Sequence, residues 1–319
     1  MTQPRPLVFA LVTLLSVAVA CRATPEAAPP TTGVAIDADL LDVTVPELHR
    51  LYADKKYSVT QVVQWHLDRI DRYNGVYGAI ETVFKSEALA EAARHDAEAA
   101  QGGGARGPLW GVPIVIKANT SIKGQVTTAG WEGFTREGHE LVAPQDATVV
   151  AKFKAAGAII VGHTNMPDLA NSDTNRSSSF GRTGNAYDVR FSPGGSSGGT
   201  VTAVAANMAV LGNGTDTGNS IRMPAATSAL VGVFPTRGLV SIAGIAPLDW
   251  LLDNTGPIAR TTTDAAIALA VMAGEDPLDP LTVGSPGSAQ RGPWATHPRK
   301  PPTLVEQGLL SVTPARTPR

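Results

Sequence analysis

Cysteine is almost absent from this sequence. The 319-residue chain has one, Cys21, so no disulfide can close within it and no thiolate metal site can be assembled. Charge is sparse as well. Asp, Glu, Lys and Arg make up 17% of the residues and leave a formal net charge of −2. A nucleic-acid surface needs clustered Lys and Arg, so nucleic acid is not an expected partner. The six histidines, His49, His66, His95, His139, His163 and His297, join no Asp or Glu in metal-ligand spacing, and no metal is expected. The histidines give little support to a Ser-His-Asp hydrolase: His49, His66 and His95 fall in expected helices and His297 in the tail, although His163 follows an apolar strand and is placed to line a site.

Long apolar runs are also scarce. The apolar run Leu7 to Ala20 carries no charge and is too short for a spanning helix of about 20 residues. It follows Arg5 and ends Ala18-Val19-Ala20-Cys21, small residues of the kind read by signal peptidases. Residues 1–21 are therefore expected to form an export signal. Cys21 resembles a bacterial lipoprotein acceptor, so the only expected membrane contact is a lipid at this residue. An exported, periplasmic or cell-envelope location follows. Residues 22–37, rich in Pro, Ala and Thr, read as a flexible tether. From Val283 the sequence turns polar and Pro-rich, and 283–319 is expected not to pack.

What is abundant lies between. Hydrophobic residues reach 43%, with 32 glycines and 24 prolines, as in an α/β enzyme with many shaped loops. Helices are expected at Thr44–Lys55, after a Ser58/Gln61 capping box, at Ser86–Ala100, after Asp146 as cap, at Val201–Asn207 and at Thr263–Ala273. Apolar runs at Gly111–Ile116 and Ala158–Gly162, and one starting at Met208, read as buried strands. This alternation predicts an α/β sandwich around a mixed or parallel sheet.

The most informative stretch reads Gly194-Gly195-Ser196-Ser197-Gly198-Gly199, then Asp216-Thr217-Gly218-Asn219-Ser220-Ile221-Arg222-Met223-Pro224. Taken alone, a Gly/Ser run is a flexible loop, and no Gly-Lys-Ser/Thr follows to make a phosphate cradle. Gly102 to Gly107 fits a dinucleotide pattern but precedes a strand instead of following one. With Gly111-Val112-Pro113 leading to Lys117, and Gly256-Pro257-Ile258-Ala259-Arg260 downstream, the set resembles the amidase signature family. Ser196 and Ser220 stand 24 positions apart, the spacing of that family. The resemblance covers roughly residues 40 to 282.

The resemblance implies an α/β/α sandwich around a large mixed sheet, with the amidase domain at 38–282 and the C-terminal part of the family domain missing. It implies a carboxamide hydrolase acting on a small-molecule or peptide amide, with no cofactor. Ser220 matches the nucleophile, Ser196 a bridging serine that follows a cis peptide bond, and Lys117 the general base. Backbone N–H groups of Thr217, Gly218, Asn219 and Ser220 match the oxyanion hole, with Asn219 where many members have Gly. Gly194, Gly195, Ser197, Gly198, Asp216 and Arg222 match loop-shaping positions, the last two as a salt bridge. A lysine base must be neutral, so its pKa has to fall from about 10.4 to about 7–8. Lys117 closes an apolar strand, and burial disfavours its charge. Asn171 to Arg176 resembles the peptide-amidase type. Two alternatives remain. One is a truncated, inactive amidase kept as a binding remnant. The other is the amidase component of a glutamyl-tRNA amidotransferase, which an export signal opposes.

Overall fold

The computed structural model of the chain describes residues 32–102 and 106–285. The expected export signal, Cys21, the first part of the tether and the tail beyond Ser285 lie outside the described residues. Residues up to Asp39 form one unit and those from Leu40 a second. Helix α1 spans Thr32–Leu40, so residues 32–37, expected within the tether, are helical. Pro29 and Pro30 lie just ahead of this helix, and the segment after them holds helix-forming Ala and Leu with no further proline.

The second unit opens with α2 (Val45–Ala53) and α3 (Val59–Tyr77). Both start on capping boxes. The expected one pairs Ser58 with Gln61, and a second pairs Thr44 with Glu47. Each satisfies two backbone donors that a helix start leaves unpaired. Strand β1 (Ile80–Val83), helix α4 (Lys85–Ala100) and strand β2 (Pro113–Lys117) follow. Helix α5 (Thr148–Ala155) then leads to β3 (Ile159–Thr164). Asp146 does not cap α5, contrary to expectation. Ala147 holds the cap position without a side-chain bond. The Asp146 carboxylate instead accepts the Lys123 amide at 2.8 Å and pairs with Lys154.

A short hairpin, β4 (Arg176–Ser177) and β5 (Gly181–Arg182), precedes α6 (Gly198–Ala205). Strand β6 (Leu211–Asp216), helix α7 (Arg222–Thr227), strand β7 (Val231–Gly232), strand β8 (Asn254–Ala259) and helix α8 (Thr262–Met272) complete the order. Six strands form one sheet, ordered β1-β3-β2-β6-β8-β7. The central β3, β2 and β6 run parallel, while β1, β8 and β7 pair antiparallel. The sheet is thus mixed, as the sequence predicts. Strands β2, β6 and β8 are buried along their whole length, which explains why they read as continuous apolar or small-residue runs.

Helix α6 packs on the middle of this sheet. Its residues Gly198 to Val204 are all buried, and a side chain at Gly199 would collide with the backbone of Asn165 and Ala79. Small residues let the helix approach the sheet closely. Behind it, Val201, Ile221 and Ile258 form an apolar cluster with Leu230. This packing brings the N-terminus of α6 beside the C-terminal ends of β2 and β6.

Candidate active site

Three segments meet where β2 and β6 end. Lys117 is the last residue of β2 and is fully buried. Its backbone N–H donates to Asn213 Oδ1 of β6 at 2.9 Å, which ties the two strand ends together. Its Nζ lies 2.6 Å from Ser196 Oγ, 2.8 Å from Thr215 Oγ1 and 3.0 Å from Ser197 Oγ. No carboxylate touches the amine among these partners. Burial is accordingly the largest influence on it. The Lys117 pKa falls from 10.5 to about 7, against a weaker upward pull from the Asp216 and Asp253 carboxylates.

Ser196 and Ser197 reach this amine from the loop ahead of α6, and both are fully buried. The Gly195–Ser196 peptide bond is cis. Gly194 adopts φ +79°, where a side chain would be strained and would also meet Met223. Ser197 fixes the loop to β6: its hydroxyl donates to the Thr215 carbonyl at 3.3 Å and accepts the Thr215 N–H at 3.3 Å. The Gly198 N–H donates to Asn175 Oδ1 at 3.0 Å, which holds the first turn of α6. This is why the helix begins at Gly198, three residues before the apolar pattern suggests.

Ser220 follows β6 on a tight loop. The Ser197 N–H donates to the Ser220 carbonyl at 3.2 Å, so the two serine-bearing loops are joined directly. Ser220 keeps 8% exposure whereas Lys117 and Ser196 keep none. It is thus the one of the three with any residual exposure. Neighbouring carbonyls are bound within the protein: Gly218 O by Arg222, and Asn219 O by the Met223 N–H at 2.9 Å. Thr217 Oγ1 donates to Asp253.

Asp216 and Arg222 form the brace expected of them. Asp216 is fully buried and pairs with Arg222 at 3.1 Å. It also accepts the Ile221 N–H at 2.9 Å, so one carboxylate holds both ends of the loop that carries Ser220. Asp216→Ala is expected to cost about 1.5–3 kcal/mol, because it strips a charged acceptor from buried donors. Thermal unfolding of the purified variant measures this, and an unchanged melting temperature would show that the loop needs no such brace.

His163 does not line this site. In the β2–β3 pairing Lys117 faces Thr164 and Ile116 faces His163. Side chains alternate across a sheet, and Thr164 Oγ1 bonds Thr200 of α6 at 2.7 Å, so His163 points the other way. There its ring packs edge-on to Phe84, and burial holds its pKa down at about 4. Four residues that motif reading passes over do reach the site. Thr215, Asn213 and Asn119 surround the Lys117 end of β2, with Asn119 Nδ2 donating to Thr215 Oγ1 at 3.0 Å. Asp253 approaches through Thr217. Asn213 and Thr215 alternate along β6, a period-two signal present in the sequence; Asn119 and Asp253 carry no local signal.

The family model for Amidase matches residues 61–301. The chain belongs to the amidase family. The match runs past residue 283, where the sequence turns polar. Among curated relatives, the A component of the glutamyl-tRNA(Gln) amidotransferase of Alkaliphilus metalliredigens is 40% identical over 242 residues, 76% of this chain and 48% of that protein. Among solved structures, the native peptide amidase of Stenotrophomonas maltophilia matches at TM-score 0.70 and 37% identity, over 77% of this chain and 50% of that one. An amidase family protein from Bacillus anthracis str. Ames matches at TM-score 0.72 and 33% identity, over 81% and 52%. The chain spans about half the length of the relatives it matches. The mixed α/β architecture is that of these amidases.

Proposed function

We propose that this chain hydrolyses a carboxamide through an acyl-enzyme on Ser220, with Ser196 and Lys117 moving the proton. The observation that carries this reading is the buried Lys117 amine 2.6 Å from Ser196 Oγ. A serine hydroxyl is a weak nucleophile until a base accepts its proton. A neutral amine has two N–H donors and one lone pair. Thr215 Oγ1 and Ser197 Oγ take the two donors. The lone pair then faces Ser196, the nearest hydroxyl.

Ser220 Oγ attacks the carbonyl carbon and gives its proton to Ser196, which passes its own to Lys117. Negative charge gathers on the carbonyl oxygen and is met by N–H groups of the Thr217–Ser220 loop. The carbonyls of Gly218, Asn219 and Ser220 are bound elsewhere, which frees this part of the loop to present its N–H side. Such a donor contributes about 2.7–4 kcal/mol to the transition state. As the tetrahedral intermediate collapses, the C–N bond breaks. The proton returns through Ser196 to the leaving nitrogen. Water then adds to the ester by the same route and releases the acid.

A second reading has a specific observation behind it, the 40% identity to the A component of a glutamyl-tRNA(Gln) amidotransferase. In that case the chain would supply ammonia from a glutamine side chain for a partner's tRNA reaction. We favour independent hydrolysis because the N-terminal sequence reads as an export signal. Ammonia release from a panel of peptide amides, simple primary amides and free glutamine separates the two. Turnover confined to glutamine would support the second reading, and turnover of none of them by a folded chain would remove both.

The proposed location follows from Cys21 as a lipid acceptor. Cells fed labelled palmitate are expected to label the wild-type chain and not Cys21→Ser. Equal labelling of the two would dismiss the anchor.

A further inference from the structure

The loop from Ala246 to Asp253 exposes four large apolar side chains in five residues. Leu248 is 44% exposed, Trp250 60%, Leu251 58% and Leu252 45%. Water-exposed apolar groups in such density mark a binding surface more often than chance. The cause of their exposure is local. The Asp249 carboxylate accepts the amides of Leu251 at 2.9 Å and Leu252 at 3.3 Å, and the Asp253 carboxylate accepts those of Leu248 and Asp249. Two aspartates thus wind the segment into a tight turn, spend its polar groups internally and leave the apolar side chains pointing out.

The turn is fastened to the candidate site at three points. At its start, the Ala246 N–H donates to the Asn119 carbonyl at 2.8 Å, two residues beyond Lys117. At its end, Asp253 accepts Thr217 Oγ1, on the loop that carries Ser220. The third runs through an aromatic ring. Arg237 Nε donates to the Leu252 carbonyl at 3.1 Å, and both Arg237 and Arg222 lie over the Phe234 ring, at 5.4 and 4.5 Å. Arg222 is two residues from Ser220. Two of the three attachments thus fall directly on the segments that follow Lys117 and carry Ser220, and the third reaches Arg222 through the Phe234 ring.

We infer that Leu248, Trp250, Leu251 and Leu252 form an apolar wall at the mouth of the site, which selects amides bearing a large hydrophobic group. This rests on the amidase reading above and adds the substrate class to it. The occupant is the apolar portion of the substrate, because the turn is tied at its two ends to the segments that follow Lys117 and carry Ser220. The wall acts before and during acylation, so it affects the approach of substrate and leaves the proton transfers alone.

Phosphonylation of Ser220 tests this without requiring amide turnover. Two fluorophosphonates, one with a methyl and one with a dodecyl chain, are reacted with the full 319-residue chain. In each, Ser220 Oγ displaces fluoride from phosphorus. The wild type is expected to react with the dodecyl probe faster by on the order of tenfold or more, since each buried methylene favours binding. The triple variant Trp250→Ser, Leu251→Ser, Leu252→Ser is expected to lose that preference, so that the ratio of dodecyl to methyl rates falls towards one. Trp250→Ala, a single exposed change, should shift the ratio the same way by less. An unaltered dodecyl-to-methyl ratio in both variants would overturn the wall while leaving the amidase reading intact. No reaction of either probe with folded wild type would overturn both.

Discussion

Replacing Ser220 with alanine is expected to lower amide turnover by on the order of 10⁶-fold, the scale seen when a hydrolase loses its nucleophile. The expectation comes from how the site divides its labour. Lys117 and Ser196 keep no exposure, whereas Ser220 retains 8% on a loop braced by Asp216 and Arg222. In the proposed mechanism, removing its Oγ deletes the bond-forming atom, and the fold should stay in place because no apolar core atom is lost. The variant should melt with the wild type and still bind substrate. Initial rates of ammonia release over a range of amide concentrations measure the effect. A variant that keeps even one-hundredth of the wild-type rate would place the nucleophile elsewhere.

In the proposed mechanism Lys117 sets the pH dependence. Its pKa in the folded chain is held at about 7 by burial, below the 10.5 of a solvated lysine. The protonated amine cannot accept a proton and the neutral one can. Activity should therefore be low below pH 7, rise through that value with the slope of a single proton, and level off above it. On the proposed mechanism that ascending limb follows the neutral fraction of Lys117. Lys117→Ala should lose most of the rate and the limb with it, by about 10²–10⁴-fold, the usual contribution of a positioned general base. Lys117→Arg should be as poor, because a guanidinium stays charged across this range. The pH profiles of kcat/KM for the three proteins decide the matter. An ascending limb that survives in Lys117→Ala would assign it to another group.

Much of this site is legible in the sequence alone, and the reason is physical. Ser196, Ser220 and Lys117 sit in stretches where glycine, serine and a strand-ending lysine follow an order that ordinary loops do not keep. The mixed sheet is legible from buried runs such as Ile114–Ile116, where hydrophobicity alone fixes a strand. What stays hidden depends on tertiary partners. The start of α6 at Gly198 needs Asn175, 23 positions away, and no local pattern reports such a cap. Asp146 carries a capping residue's chemistry one position too early, and Lys123 and Lys154 claim its carboxylate. His163 looks available in the sequence because it closes an apolar run. Only the β2–β3 register shows that its side chain faces away from Lys117. The supporting ring of Asn119, Asn213 and Thr215 likewise becomes visible only once β2 and β6 are paired.

Whether Ser220 carries the acyl group can be measured directly. The purified 319-residue chain is treated with a fluorophosphonate and characterised by intact-mass and peptide mass spectrometry, beside Ser196→Ala and Ser220→Ala. One adduct per wild-type chain is expected, mapped to Ser220, with much slower labelling of Ser196→Ala and none of Ser220→Ala. An adduct on any other residue, or no adduct on a chain shown to be folded, would mean that Ser220 is not the nucleophile.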